Sequence, residues 1–187
     1  MKRKYSAVAV VFANCADRYV LQGYTEPRTF DQMLADAQQV EGLTGIEVIG
    51  GWHINDQNQH AVVKQIHDAG FQLACVIPEI WANPKWGWGT LASTDPGIRR
   101  DAKDRIKVAM DLAASTGCNH VIRWPGPDGW DYVFQADYLK MYDWMLEGLD
   151  ECAAHNPNGK VSLEFKPKEP RTHIMINSTA KALLFVN

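Results

Sequence analysis

A glutamate and a lysine near the C-terminal end of the sequence have the spacing of a catalytic pair. Residues 161–165 alternate apolar and polar side chains as a β-strand does, and a charged, proline-rich segment follows at once. Glu164 and Lys166 are two residues apart, so on a strand they point the same way. A carboxylate and an ammonium at a strand's carboxyl end suit the active site of a barrel enzyme. The alternative interpretation is a surface ion pair, which is common and weak.

His53 and Asp56 form a second candidate pair, which follows the second predicted strand. A carboxylate that binds an imidazole fixes its tautomer and raises its basicity, so the two residues could act as a base and the group that orients it. The alternative is that His53 ends the strand and Asp56 caps the following helix.

Five strand–helix units position these residues. Short segments rich in β-branched residues predict strands over 6–12, 45–49, 71–77, 120–124 and 161–165. Apolar residues at helical spacing fill the intervals. We expect the first helix to begin near Thr29, with Gln32 completing a capping box, and the second to stop at Gly70. We expect the third helix to begin at Ser93 or Thr94.

This alternation favours a parallel sheet with helices outside, either an open doubly wound sheet or part of an eight-stranded barrel. No Gly-x-Gly-x-x-Gly segment follows the first strand, which disfavours the dinucleotide-binding form of the open sheet.

Composition indicates a globular domain without an electrostatic reason to bind nucleic acid or membranes. The chain has 187 residues, a net charge of −3 and 46% hydrophobic residues. A basic start before the apolar residues 5–13 mimics a signal peptide, but the segment is short and β-branched, so we expect a buried first strand. The four cysteines are far apart and predict core thiols in a reducing, cytoplasmic setting.

The segment Glu-x-Lys-Pro-x-Glu-Pro-Arg, residues 164–171, resembles the fifth-strand signature of the xylose isomerase family of sugar isomerases, with only the two x positions free. The spacing of His53 and Asp56 resembles that of the family's second loop. The resemblance implies an α/β fold, the (β/α)8 TIM barrel, with about five of its eight units present. We therefore expect residues 1–187 to be a single domain that forms the N-terminal portion of a longer barrel.

The resemblance also implies roles for individual residues. Glu164 would bind a divalent metal (Mg²⁺, Mn²⁺ or Co²⁺), and Lys166 would hold the carbonyl end of the sugar. His53, oriented by Asp56, would help to open the sugar ring, and Trp124 would wall the pocket. These roles suit a reaction that builds negative charge on oxygen.

Two features bear on the substrate. Trp88 lies in a long aromatic loop after the third predicted strand and is a second candidate to bind sugar. After the fourth strand the family's Trp-Gly-Gly-Arg-Glu-Gly is replaced by Trp-Pro-Gly-Pro-Asp-Gly at 124–129. The arginine of that turn is lost to Pro127, which leaves the identity of the sugar open.

The resulting hypothesis is a metal-dependent isomerase that interconverts an aldose and a ketose by hydride shift. An epimerase of the same superfamily, which would use paired glutamates, is the alternative, and the presence of Lys166 and His53 argues against it. A non-catalytic carbohydrate-binding module is a further alternative, because tryptophans stack on sugars without chemistry. The family's remaining metal ligands lie on later strands, so we expect this chain alone to be inactive. The resemblance also implies that the full-length protein forms a homo-oligomer, a dimer or tetramer.

Overall fold

A five-stranded parallel sheet forms the centre of the molecule, which a computed structural model describes for residues 3–17 and 20–186. In chain order the strands are β1 (Tyr5–Val8), β2 (Leu43–Gly50), β3 (Gln72–Pro78), β4 (His120–Arg123), β5 (Gly129–Trp130), β6 (Lys160–Leu163) and β7 (His173–Ile174). The main sheet has the order β1-β2-β3-β4-β6, and all its pairs are parallel. The short strands β5 and β7 form a separate antiparallel pair.

The helices confirm the predicted alternation. They are α1 (Phe30–Ala37), α2 (Gln59–Asp68), α3 (Pro96–Ser115), α4 (Tyr138–His155) and α5 (Thr179–Leu183). Thr29 and Gln32 form the expected capping box of α1, and Gly70 follows α2 with a φ of 87°. Helix α3 is capped by Asp95 and not by Ser93 or Thr94, because the Asp95 carboxylate accepts the Gly97 N–H and Pro96 fixes the first turn.

The first strand is shorter and more exposed than predicted. It ends at Val8, and Ala9–Phe12 forms a 3-10 helix that packs against α1. Tyr5 is 57% exposed because β1 pairs only with β2 in the described sheet, whereas Ala9 is buried. Burial therefore begins where the strand gives way to the 3-10 helix.

The two faces of the sheet differ in character. One face packs against the helices through a large apolar cluster that includes Ile46, Val48, Val76 and Val121. The opposite face, called the inner face below, carries a small apolar cluster around Ile49, Cys75 and Ile77. Polar side chains also lie there: Ser6 donates a hydrogen bond to Glu47 (2.7 Å), and Nε2 of His120 lies 2.9 Å from the Ser162 hydroxyl.

The four cysteines are free thiols. Cys75 and Cys152 are buried as predicted, but Cys15 is exposed, so the prediction of a core position was wrong for that residue. Cys15 lies exposed in the loop between the 3-10 helix and α1. Within residues 3–17 and 20–186, no helix has both the length and the apolar character needed to cross a membrane.

Candidate active site

The loops that leave the carboxyl ends of three neighbouring strands place three indole rings in a row. Trp52 follows β2, Trp81 follows β3 and Trp124 follows β4. The ring centroids of Trp52 and Trp81 are 5.7 Å apart, and those of Trp81 and Trp124 are 5.9 Å apart, both in edge-to-face contact. These three residues are called the aromatic row below. Ligands of parallel α/β folds bind at this end of the strands.

Local contacts fix the positions of Trp81 and Trp124. The Glu79 carboxylate accepts the backbone N–H groups of Trp81 (3.0 Å) and Ala82 (2.7 Å), which holds the turn after β3. The indole of Trp124 folds over Gly126, where an added Cβ would lie 2.0 Å from the ring. Only glycine leaves room for this ring position, because any side chain at position 126 would collide with the indole.

Lys166 lies beside Trp124, one member of the aromatic row. Its Nζ lies 5.5 Å from the ring centroid of Trp124 and 3.3 Å from a carboxylate oxygen of Glu169. The backbone N–H of Glu164 donates to Arg123 (3.0 Å), which continues the β4–β6 pairing one residue beyond the strand. The structure therefore brings Glu164, Lys166 and Trp124 to one end of the sheet.

Sequence reasoning missed a second carboxylate, Glu47, whose charge acts on Glu164. Desolvation and the nearby charge of Glu47 raise the pKa of Glu164, and Lys166 opposes the shift. Glu47 lies on the inner face in the middle of β2, opposite Cys75 in the register. The signal in the sequence was a single charged residue inside an otherwise apolar strand, because such a residue needs a polar partner or a function.

The His53 ring is oriented by the backbone. Its Nδ1 accepts a hydrogen bond from the N–H of Ile49 (3.0 Å), so the proton of the neutral imidazole is on Nε2. Burial lowers the pKa of His53, which keeps the ring neutral. Its ring centroid is 5.4 Å from that of Phe30, at the start of α1.

Asp56 is exposed, and its carbonyl accepts a long hydrogen bond from Gln59. The backbone, and not the Asp56 carboxylate, therefore occupies Nδ1 of His53. The turn before α2 is held instead by Asn55, whose Oδ1 accepts the N–H groups of Gln57 (2.9 Å) and Asn58 (3.1 Å). This Asx turn fills the place that the sequence assigned to an Asp56 cap.

Trp88 is placed outside the aromatic row. It ends the 3-10 helix Pro84–Trp88, is 73% exposed, and lies 4.9 Å from the guanidinium of Arg171. The same guanidinium binds the Asp131 carboxylate at 2.7 Å. Trp88 therefore joins the loop after β3 to the loop after β6.

The buried ion pair of Arg123 and Asp128 connects the loops that follow β3, β4 and β6. Arg123 and Asp128 are fully buried and bonded to each other. The Asp128 carboxylate also accepts the N–H groups of Thr90 (2.7 Å) and Ala92 (2.9 Å) and the Thr90 hydroxyl. The carbonyl of Asp128 accepts the N–H of Met175 (3.0 Å). One residue thus binds the loops that follow β3, β4 and β6.

The described residues do not by themselves form a metal site. In residues 3–17 and 20–186, no group of three or more His, Cys, Asp or Glu side chains could hold a metal ion. A hard divalent cation requires several oxygen ligands, and Glu164 with Glu47 supplies too few.

Curated relatives of this chain include xylose isomerases. It is 28% identical to the xylose isomerase of Thermus thermophilus over 136 residues, which are 71% of this chain and 35% of that protein. It is 23% identical to the xylose isomerase of Paraburkholderia xenovorans over 116 residues, which are 60% of this chain and 26% of that protein. The chain thus spans about a third or less of the length of these relatives.

Solved structures share the fold. The D-psicose 3-epimerase of Clostridium cellulolyticum superimposes with a TM-score of 0.69 at 15% identity, over 98% of this chain and 59% of that chain. The D-allulose 3-epimerase of Methylomonas sp. gives a TM-score of 0.67 at 15% identity, over 97% and 57%. The family model described as the xylose isomerase-like TIM barrel matches residues 34–186. Taken with the βα order and the signature at 164–171, this match shows that the chain belongs to the xylose isomerase-like TIM barrel family.

Proposed function

We propose that residues 1–187 form the N-terminal portion of a sugar isomerase that interconverts an aldose and a ketose. The observation that carries the proposal is the position of Lys166, whose ammonium stands beside Trp124 and two residues after Glu164. This arrangement combines an apolar wall for a sugar with a cation for the oxygen that becomes negative. The similarity to xylose isomerases supports the same reaction class.

The reaction is an internal redox exchange. A hydrogen moves with its electron pair from C2 of the open-chain aldose to C1, so C1 is reduced and C2 is oxidised. The proton of the C2 hydroxyl is transferred to the oxygen on C1, and atoms and electrons balance without an external reductant. Lys166 stabilises the negative charge on oxygen during this transfer, and Trp124 keeps water from one side of the sugar.

His53 acts in ring opening as a hydrogen-bond donor. Because Nδ1 accepts from Ile49, the neutral ring offers Nε2–H to the ring oxygen of the sugar. Asp56 does not orient His53 through Nδ1, because the backbone N–H of Ile49 occupies that nitrogen. Asp56 stays a predicted catalytic residue, and an Asp56→Asn variant of the complete protein with unchanged kcat would contradict that prediction. Trp88 likewise stays a predicted sugar contact.

Glu164 is the residue of this chain that we propose as a ligand of a divalent metal, Mg²⁺, Mn²⁺ or Co²⁺. We place the remaining ligands in the part of the xylose isomerases that this chain does not span. On this proposal, the isolated 187-residue chain binds sugar weakly and does not turn it over.

A sugar epimerase is the second candidate, and Glu47 is the observation that favours it. An epimerase removes a proton from carbon next to a carbonyl and returns it on the other face, which suits two carboxylates. The charge of Glu47 contributes to the raised pKa of Glu164, and the structural neighbours named above are 3-epimerases.

Reaction in D₂O separates the candidates. The complete natural protein that contains this sequence is incubated with aldoses and with ketohexoses, and the products are analysed by NMR. A hydride shift keeps the transferred hydrogen, whereas epimerisation incorporates deuterium from solvent on carbon. Retained hydrogen in an aldose–ketose product supports the isomerase. Deuterated epimers contradict it, and sugar binding without any product indicates the non-catalytic module.

Lys166→Met tests the residue that carries the proposal. We expect kcat to fall by about 100-fold or more, as when one oxyanion-stabilising group is removed. Lys168→Met is the matched control, because Lys168 is an exposed lysine of the same loop. Equal activity of the two variants would refute the role of Lys166.

We further propose a cytoplasmic homo-oligomer, a dimer or tetramer. Free thiols suit a reducing compartment. Phe134 and Leu139 are 84% and 79% exposed in one segment, as at a subunit interface. Light scattering of the complete protein, with Phe134→Ser as the variant, tests the assembly.

A further inference from the structure

Of the three indoles in the aromatic row, Lys166 approaches Trp124, and the ring of Trp81 stands between Trp124 and Trp52. Starting at Trp124, which Lys166 approaches to 5.5 Å, the row passes to Trp81 after 5.9 Å and to Trp52 after a further 5.7 Å. One sugar ring covers roughly one aromatic ring. A monosaccharide whose carbonyl end meets Lys166 therefore lies over Trp124 and leaves Trp52 uncovered.

Trp52 is held in place by a structured turn. Gly51 adopts a φ of 85° and donates its N–H to Ile54 (2.8 Å), while the N–H of Trp52 donates to Ile49 (3.3 Å). Ile54 is fully buried and anchors the turn in the core. The turn presents an indole that is 51% exposed, beside a ring that is itself only partly covered. An exposed indole on a hydrogen-bonded backbone turn, in edge contact with Trp81 at the ligand-binding end of the sheet, is suited to a ligand ring.

We propose that Trp52 forms an outer subsite for a second sugar ring, so that the substrate is a reducing disaccharide and not a free monosaccharide. The inference rests on the proposed function, because Lys166 marks the reacting end. Isomerisation requires a free C1 at Lys166, so the second ring is attached at the opposite end of the reacting sugar. A 4-linked disaccharide meets both conditions.

Binding to the complete natural protein tests this subsite. Isothermal titration compares D-xylose with xylobiose and D-glucose with cellobiose, two pairs that differ only in the second 4-linked ring. We expect at least one disaccharide to bind about tenfold more tightly than its monosaccharide, the gain of one stacked ring. Trp52→Ala should remove this difference while the monosaccharide affinity stays unchanged, and Trp52→Phe should keep part of it.

Tyr5→Ala is the control variant. Tyr5 is 57% exposed, close to the exposure of Trp52, but lies at the opposite end of the sheet. Circular dichroism checks that each variant folds. Equal binding of monosaccharides and disaccharides by the unmodified protein, or equal weakening of both by Trp52→Ala, would overturn the subsite while leaving the proposed function intact. If none of the four sugars binds, the subsite and the proposed function both fail.

Discussion

Replacing Asp128 by asparagine should destabilise the protein strongly, because it leaves a buried guanidinium without its counter-charge. Arg123 is fully buried and its Nη2 is bonded to Asp128 and Thr90, while its Nε and Nη1 have no partner among the described residues. Asparagine keeps one oxygen for the N–H groups of Thr90 and Ala92. Its amide group, however, is a donor where the carboxylate accepts from Arg123 and from the Thr90 hydroxyl.

Breaking a buried ion pair by removing one partner costs about 3–5 kcal/mol of the free energy of unfolding. The retained bonds to Thr90 and Ala92 place the expected loss of Asp128→Asn near the lower limit, about 3 kcal/mol. For a domain of this size that loss lowers Tm by about 6–12 °C. Equilibrium unfolding in urea measures it, provided that the m-value does not change.

The exposed pair of Lys64 and Asp68 provides the control. Asp68→Asn should cost less than about 1 kcal/mol. The double variant Arg123→Met/Asp128→Asn should recover part of the loss, because it removes the uncompensated charge. A loss below about 1 kcal/mol for Asp128→Asn, or no recovery in the double variant, would refute the assignment of Asp128 as the essential counter-charge.

Three further predictions follow from the titratable groups. Glu164→Gln should stabilise the protein at neutral pH and have no effect in acid. The pKa of Glu164 is raised in the folded state, so the folded protein loses stability as pH rises through that pKa. Equal free energies of unfolding in urea at pH 7 for the variant and the unmodified protein would contradict this. His53→Asn should reduce the loss of stability on acidification below about pH 6.5. The pKa of His53 is lowered in the folded state, so the unfolded chain binds the proton at a higher pH than the folded chain does. An unchanged pH dependence of the free energy of unfolding in the variant would contradict this role of His53. A thiol reagent should modify exposed Cys15 quickly, and Cys15→Ser should remove that phase. Cys152 should react only after denaturation, because burial raises its pKa to about 11.

Much of the fold could be predicted because its determinants are local. The capping box of Thr29 and Gln32 and the stop at Gly70 act within a few residues, and both lie where the sequence placed them. The short strands β5 and β7 escaped prediction. They pair only because the loops after β4 and β6 meet, a contact between segments about forty residues apart that no local pattern encodes.

In the candidate site, too, some positions could be predicted from local patterns, whereas others depend on contacts between separate segments. The strand-end positions of Glu164, Lys166 and Trp124 could be predicted from the signature and the βα order. The position of Glu47 relative to Glu164 depends on the register of separate strands, so the sequence pattern did not reveal it. Likewise, the bond from the N–H of Ile49 to His53 arises from the path of one turn, which spacing alone does not fix.

The order of the main sheet has a consequence for how the protein is made. Each strand of β1-β2-β3-β4-β6 lies beside the strand of the main sheet synthesised just before it. A nascent chain can therefore add each strand to an edge that has already left the ribosome, and no strand must wait for a distant partner. Pulse-labelled amides in β2 and β3 should accordingly gain protection from exchange before those in β6.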